Sequence, residues 1–378
     1  MTFEVRAHDP SGARLGRLEL AHGPVDTPVF MPVGTQATVK TMTPVELVES
    51  GSRMLVCNTY HLYLRPGPER LRAAGGLHRF MGWDGPILTD SGGFQVYSLA
   101  ALSAVSDEGV RFQSHIDGSR HFFTPKMVVD AQQSFGADIA MCLDECPPYP
   151  VERGRAEAAV LRTTRWADES KSAHGSDRTS LFAIVQGATY ADLRRKSARD
   201  VVELGFEGYA IGGLCLGESA DARQEMVAAA ADELPATRPR YLMGAGYPED
   251  IVAAVRLGVD MFDCVLPTRN GRTGSAFTST GRLSIRNACY AADEAPLDAA
   301  CECYACRVFT RGYLRHLFIA GEALGPRLLT LHNVWFYQRL MGRLRAAIAA
   351  GTFEAAAAEF LSRYQTESDP EAAGPAGR

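Results

Sequence analysis

The sequence predicts an α/β fold: a (β/α)8 barrel of the TIM type, with inserted hairpins and a C-terminal cysteine-bearing subdomain. Three observations predict it. Eight short apolar runs recur between residues 29 and 265, largely separated by segments with helical signals. Apolar runs of about five residues suit strands buried on both faces of a parallel sheet. The polar residues of this stretch fall mostly at the carboxyl ends of the runs, and a barrel gathers such ends at one mouth. A doubly wound open sheet is the alternative, because counting strands does not demonstrate closure.

The elements follow in order. Residues 3–20 read as a hairpin turning through DPSGA, where Pro and Gly supply the turn chemistry. VFMPV (29–33) is the first barrel strand, and Thr43-Pro44 caps and opens a helix after it. RMLVCN (53–58) is the second, followed by a loop rich in Pro and Gly, then PILTD (86–90). Residues 109–123 alternate around Asp117-Gly118, the mark of a hairpin inserted in a strand-to-helix loop. Thr124-Pro125 starts a helix reaching Phe135. DIAMCLD (138–144) leads to a helix from Glu152 to about Lys171, and LFAIVQ (181–186) to one from about Tyr190. GYAIGG (208–213), RYLMG (240–244) and VDMFDCV (259–265) complete the eight, with helices opened by Ser219 and by Pro248-Glu249. SAFTSTGRLSIR (275–286) reads as a further hairpin, with helical stretches at 308–321 and 332–350. The expected division is a catalytic barrel with its N-terminal hairpin at 1–270, a metal-binding subdomain with packed helices at 271–365, and a flexible tail at 366–378.

Composition narrows the class. The apolar fraction of 46% is ample for a large core, and no apolar run approaches the ~20 residues that span a bilayer. The N-terminus carries no signal-peptide segment, so a cytoplasmic protein is expected. Nine cysteines, six of them scattered singly among apolar residues, fit a reducing compartment. The net charge of −5 excludes a polycation overall. Residues 261–345 nonetheless hold eleven Arg against six acids, so a basic patch on an acidic body can meet a polyanion.

Asn58, Asp90, Asp144, Gln186, Gly212, Gly213, Gly244 and Asp263 end or nearly end successive strands. Asp263 interrupts an apolar run, and a carboxylate there is costly unless used or paired. After it comes what reads as a basic loop, with Arg269 and Arg272 flanking Asn270-Gly271. Close carboxylates suit glycosyl chemistry, one attacking the sugar carbon while another moves a proton. Asp and Gln suit the polar edge of a purine. Phe94 and Met243 can sandwich a flat ring or simply pack in the core.

CECYACR places Cys301, Cys303 and Cys306 within six residues, a thiolate set that fits one tetrahedral ion such as zinc. Spacing leaves His316 and His332 both open as fourth ligand. Three thiolates and a His leave no open position, which makes the site structural.

ILTDSGGFQVYSL, CLDECPPYP, VQG, AIGGLCLGE, YLMGAGYPEDI and GVDMFDCVLPTRNGR, with the cysteine motif and a distant His, occur in this order. Together they resemble the bacterial tRNA-guanine transglycosylases, the queuine tRNA-ribosyltransferase family, over roughly residues 3–365. The resemblance implies a zinc-containing barrel that exchanges guanine at the tRNA wobble position for 7-aminomethyl-7-deazaguanine (preQ1), towards queuosine. It implies Asp263 as nucleophile and Asp90 as acid/base. Asp144, Gln186, Gly213, Leu214, Phe94, Met243 and Cys146 would line the base pocket, and Arg269 and Arg272 would contact tRNA. It selects His332 to join Cys301, Cys303 and Cys306 on zinc. It implies a homodimer with Phe80, Tyr313 and His316 near the interface. Phe94 stands where many members have Tyr, and Cys215-Leu216 where many have Ala-Val. The bulky Leu216 suits the small aminomethyl base rather than queuine. A D-loop-specific transglycosylase, a non-catalytic tRNA-binding subunit and a carbohydrate-processing barrel are the competing readings.

Overall fold

The computed structural model describes residues 1–99 and 103–364. Eight parallel strands close a barrel: Val29–Gly34, Leu55–Cys57, Ile87–Thr89, Ile139–Met141, Ser180–Val185, Gly208–Ile211, Arg240–Leu242 and Met261–Cys264. They are strands 1 to 8 below. Strand 8 pairs back onto strand 1, with Asp263 opposite Met31, so the open-sheet alternative falls. All eight predicted strands are present.

Every residue of strands 1 and 5 is buried, which is why the sequence reads there as runs rather than alternation. The alternation is still present, but between two cores. Val29, Met31, Phe182, Ile184, Tyr241 and Met261 point into the barrel and fill it. Phe30, Leu181, Ala183, Val185, Leu242 and Phe262 point outward and pack under the helices. Successive side chains of a strand face opposite sides, so each strand stitches both layers.

Caps start the helices where the sequence places them. Thr43 and Glu46 form a capping box on the helix Pro44–Glu49. Thr124 accepts from the Met127 amide at the start of Pro125–Phe135, and Ser219 does the same for Ala220–Ala231.

Several expectations change. The N-terminal hairpin gains a third strand, making a sheet of Thr2–His8, Arg14–Leu20 and Gly23–Thr27 whose Leu18 and Val25 plug the amino-terminal end of the barrel. The inserted hairpin is likewise three-stranded: Ser103–Ser106, Gly109–Gln113 and Arg120–Phe123. The Pro- and Gly-rich loop after strand 2 holds three short helices, Thr59–Leu64, Pro68–Ala73 and Leu77–Met81. The segment read as a basic loop after Asp263 is a helix, Leu266–Thr273. It lies so close to the long helix Leu324–Ala349 that a Cβ on Gly271 would meet the Thr330 backbone at 2.6 Å. Gly271 is therefore a packing glycine in a helix, not a loop hinge.

The predicted hairpin after the barrel is Ser275–Thr278 with Gly281–Ser284. Helices Tyr304–Val308, Arg311–Ala320, Leu324–Ala349 and Phe353–Arg363 follow. The long one begins eight residues before the expected 332. The predicted tail lies outside the described residues. Among the described residues, no helix is long and apolar enough to cross a membrane.

Candidate active site and metal centre

Strand geometry brings the predicted polar residues to one mouth. Asp90 follows strand 3, and its carboxylate is held from below by neutral donors. Asn58 Nδ2 donates to Oδ2 at 2.5 Å, and the Thr59 and Gly92 amides donate to Oδ1 at 2.9 and 3.1 Å. Asp263 sits in strand 8, where Tyr241 Oη donates to Oδ1 at 2.6 Å and the Gly244 amide at 2.9 Å. Its Oδ2 receives no hydrogen bond among the described residues.

The two acids sense each other. Burial pushes the Asp90 carboxyl up to about 7 against the pull of the Thr59 amide, and the Asp263 charge adds to the rise. Burial also raises Asp263, but the Tyr241 and Gly244 donors favour its ionised form. Both carboxyls are thus raised by burial, and Asp90 is the one brought close to neutrality while Asp263 keeps donors that favour its charged form.

Beside them, Asp144 ends the turn after strand 4 and is buried. Ser91 Oγ donates to its Oδ1 at 2.8 Å and Gln186 Nε2 to its Oδ2 at 2.7 Å. Gln186 is fully buried, and its Oε1 has no partner. An orphaned buried acceptor costs about 1–3 kcal/mol, so Gln186 Oε1 is free to accept from a donor that enters the pocket.

Gly213 presents backbone to the same pocket. Its φ of +64° is a left-handed conformation that Gly adopts without a Cβ penalty. The buried Arg194 imposes the orientation. Its Nη1 donates to the carbonyls of Gly212 at 2.6 Å and Val185 at 3.2 Å, Nη2 to Gly213 at 3.0 Å, and Nε to Ala188 at 2.9 Å. In a trans peptide the N–H opposes the preceding C=O. With the carbonyls of 212 and 213 turned to Arg194, the N–H groups of Gly213 and Leu214 point the other way. Burial lowers the Arg194 pKa to about 10, so it remains a cation at neutrality.

Cys146 is buried near Asp144, and burial pushes its thiol up to about 12, so it is not a thiolate nucleophile. Met243 is partly buried and packs on the barrel interior; Phe94 is exposed on the helix Gly93–Leu99. Arg269 is exposed and Arg272 half-buried on the helix after strand 8. Burial and the neighbouring Arg269 charge lower the Arg272 pKa, and Arg272 Nη1 is buried without a partner. Phe80, Tyr313 and His316 are exposed.

Tyr241 and Arg194 escaped the sequence reading. Tyr241 is an inward strand residue like any other until strand 8 lies beside it. Arg194 had a signal: with Ser197, Ala198 and Val201 it falls on the buried stripe of its helix, at the i, i+3, i+4, i+7 spacing.

The metal cluster forms from distant segments. His332, in the long helix, places Nδ1 3.7, 3.5 and 3.2 Å from the sulfurs of Cys301, Cys303 and Cys306. All four ligand atoms lie within 4.8 Å of one another. Zinc bond lengths at tetrahedral angles put N and S about 3.5 Å apart, so the set fits. His332 Nε2 lies 2.7 Å from the Phe277 carbonyl, which fixes the tautomer and leaves Nδ1 for a metal. His316 takes no part.

The fold is a closed eight-stranded α/β barrel that gathers two carboxylates, a buried Asp–Gln pair and turned backbone amides at one mouth, the arrangement of a barrel enzyme. The queuine tRNA-ribosyltransferase family model matches residues 9–366. Queuine tRNA-ribosyltransferases of Pelotomaculum thermopropionicum and Desulforudis audaxviator are each 57% identical over 366 residues. Those matches cover 97% and 96% of this chain and 99% and 98% of the relatives. That of Moorella thermoacetica is 54% identical over 97% of this chain and 98% of its own. The chain belongs to the queuine tRNA-ribosyltransferase family, a family of pentosyltransferases that exchange guanine in tRNA in queuosine biosynthesis.

Proposed function

We propose that this protein exchanges guanine at the wobble position of tRNA for preQ1 through a covalent Asp263–ribose intermediate. Asp263 attacks the ribose anomeric carbon through a carboxylate oxygen. The bond from that carbon to the base nitrogen breaks, and its electron pair goes to guanine, which takes a proton from Asp90. The incoming base gives a proton to Asp90, its nitrogen attacks the same carbon, and the Asp263 carboxylate leaves. One glycosidic bond replaces another, so no nucleotide hydrolysis is needed. The observation that carries this reading is the acid pair: Asp90 with a pKa raised to about 7, partly by Asp263, and Asp263 with Oδ2 undonated.

The base sits with its polar edge on Asp144 and Gln186 and its carbonyl on the amides of Gly213 and Leu214. Phe94 and Met243 stack on its faces, and Cys146 forms the wall. A flipped base of this kind has left its stack, and Arg269 and Arg272 grip the flanking nucleotides. Zinc held by Cys301, Cys303, Cys306 and His332 would tie the cysteine segment to the long helix, and elemental analysis is expected to give one zinc per chain. The protein works in the cytoplasm as a homodimer through Phe80, Tyr313 and His316. The test is incorporation of labelled guanine into bulk tRNA followed by mapping of the label. Label at the wobble guanosine is expected; label elsewhere, or none, ends the proposal.

A further inference from the structure

At the end of the barrel opposite the acids, a groove of about 560 Å³ opens between the start of strand 1, the turn before strand 2 and the long helix. That is the size of a small-ligand site. Four arginines line it: Arg53 from the turn, and Arg339, Arg343 and Arg345 from the helix. Arg339 and Arg343 lie one turn apart on the same face. The one acid in the lining is Asp26, already bonded by Arg17 at 3.1 Å and near Arg6 at 3.8 Å. Arg345 is tied only to the Pro28 carbonyl, at 2.7 Å, and Arg339 reaches Glu302 no closer than 3.9 Å. Arg53 and Arg343 have no carboxylate partner among the described residues.

Elsewhere on the surface Arg153 and Arg327 are exposed and hold carboxylates, while Arg195 and Arg238 are exposed and stand apart from one another; what distinguishes the groove is that four arginines share one hollow. In a chain of net charge −5, acids are not scarce. Four guanidinium groups around one hollow repel one another; burial lowers the Arg345 pKa against the pull of the Asp26 charge, and the nearby Arg53 charge adds a smaller push down. Such an arrangement is stable to the extent that a multivalent anion occupies it. The planar guanidinium fork matches phosphate oxygens.

We propose that this groove is a second, phosphate-binding site, separate from the base pocket. It takes two or more phosphate groups, carried either on an RNA backbone or on a small polyphosphate. The charge pattern is the same for both sources, so the experiment separates them. Pyrophosphate is titrated calorimetrically, and tRNA by fluorescence anisotropy across a salt series. The proteins compared are wild type, Arg53→Gln/Arg343→Gln, and a control pair, Arg195→Gln/Arg238→Gln, at exposed sites outside the groove. The control removes the same charge.

If RNA is the source, the groove pair weakens tRNA binding about tenfold at low salt relative to the control. It also lowers the salt slope by about 1.5, the contribution of two phosphate contacts. Guanine exchange at saturating tRNA stays unchanged. If a small polyphosphate is the source, wild type and control bind pyrophosphate and the groove pair does not, while tRNA affinity equals that of the control. A groove pair that matches the control with both probes overturns the proposal. The single variants, each expected to give a smaller part of the effect, guard against a folding artefact. The pyrophosphate result does not depend on the reading of the base pocket, so the two can fail separately.

Discussion

Strands 4 and 8 each carry an aspartate at either end, and the two ends differ in kind. At the amino-terminal end Asp138 and Asp260 are buried and face basic groups. Asp260 receives Arg14 through Nε at 2.9 Å and Nη2 at 2.5 Å, with the Arg240 amide at 2.7 Å. Asp138 receives His22 Nδ1 at 3.0 Å and His78 Nε2 at 3.1 Å, with the amides of His22 and Ile87. At the carboxyl end Asp144 and Asp263 meet only neutral donors, Ser91, Gln186, Tyr241 and Gly244. A cation or a full set of donors satisfies an acid and removes it from chemistry. Neutral donors hold a carboxylate in place and leave it able to react or to bind. The same residue type in the same strand thus has opposite surroundings at its two ends, which suits the structural role at one and the proposed catalytic and base-binding roles at the other.

The largest test of this contrast is Asp263→Ala. Guanine exchange should fall by about four orders of magnitude, as expected when a nucleophile is deleted. The denaturation-resistant tRNA adduct should vanish while tRNA binding and the melting temperature hold. Unfolding of this variant would erase the distinction between the two ends.

Asp260→Ala should do the reverse. It strands a buried guanidinium, so denaturant titration should show a loss of about 3–5 kcal/mol. Turnover per folded molecule should be normal, and a stable but inactive variant would contradict the assignment.

A smaller effect is expected at Arg194, a cation at the carboxyl end that meets carbonyls rather than carboxylates. Lys cannot reach all four carbonyls, so Arg194→Lys should let the Gly213 amide drift. One weakened hydrogen bond corresponds to about a tenfold rise in KM for guanine, with kcat little changed. An equal fall in kcat with unchanged KM would place Arg194 elsewhere in the mechanism.

A separate effect is in stability against pH. The raised pKa of Asp90 means that the folded protein binds this proton more tightly than the unfolded chain. Its contribution is therefore full below about pH 4, the unfolded value, and is lost as pH rises towards 7. Asp90→Asn removes this dependence. Relative to wild type it should gain stability at pH 8, keep only part of that gain at pH 5 and lose it below about pH 4, as read from melting curves. A constant difference would mean that Asp90 is not raised in the fold.

Much of the site was legible because it follows from local rules. The strands announce themselves as apolar runs, and a residue at a strand's carboxyl end reaches the mouth of any closed barrel. Asp90, Asp144, Gln186 and Gly213 needed no more than that. Elsewhere local signals misled. Pro267, Asn270 and Gly271 read as a loop, yet packing against Thr330 makes their segment a helix. Arg194 went unread in the sequence, and only closure of strands 5 and 6 above it buries it completely.

By itself, then, the chain's order of residues determined the strands, their direction and which acids stand at which end. Only the closed structure decided what each acid touches. Arg14 lies 246 residues from Asp260, and His332 lies 26 to 31 from its cysteines. Partners so distant in the chain meet only when strand 8 zips onto strand 1 and the long helix docks. Desolvation and partner charge, which divide a structural carboxylate from a reactive one, do not exist before that closure.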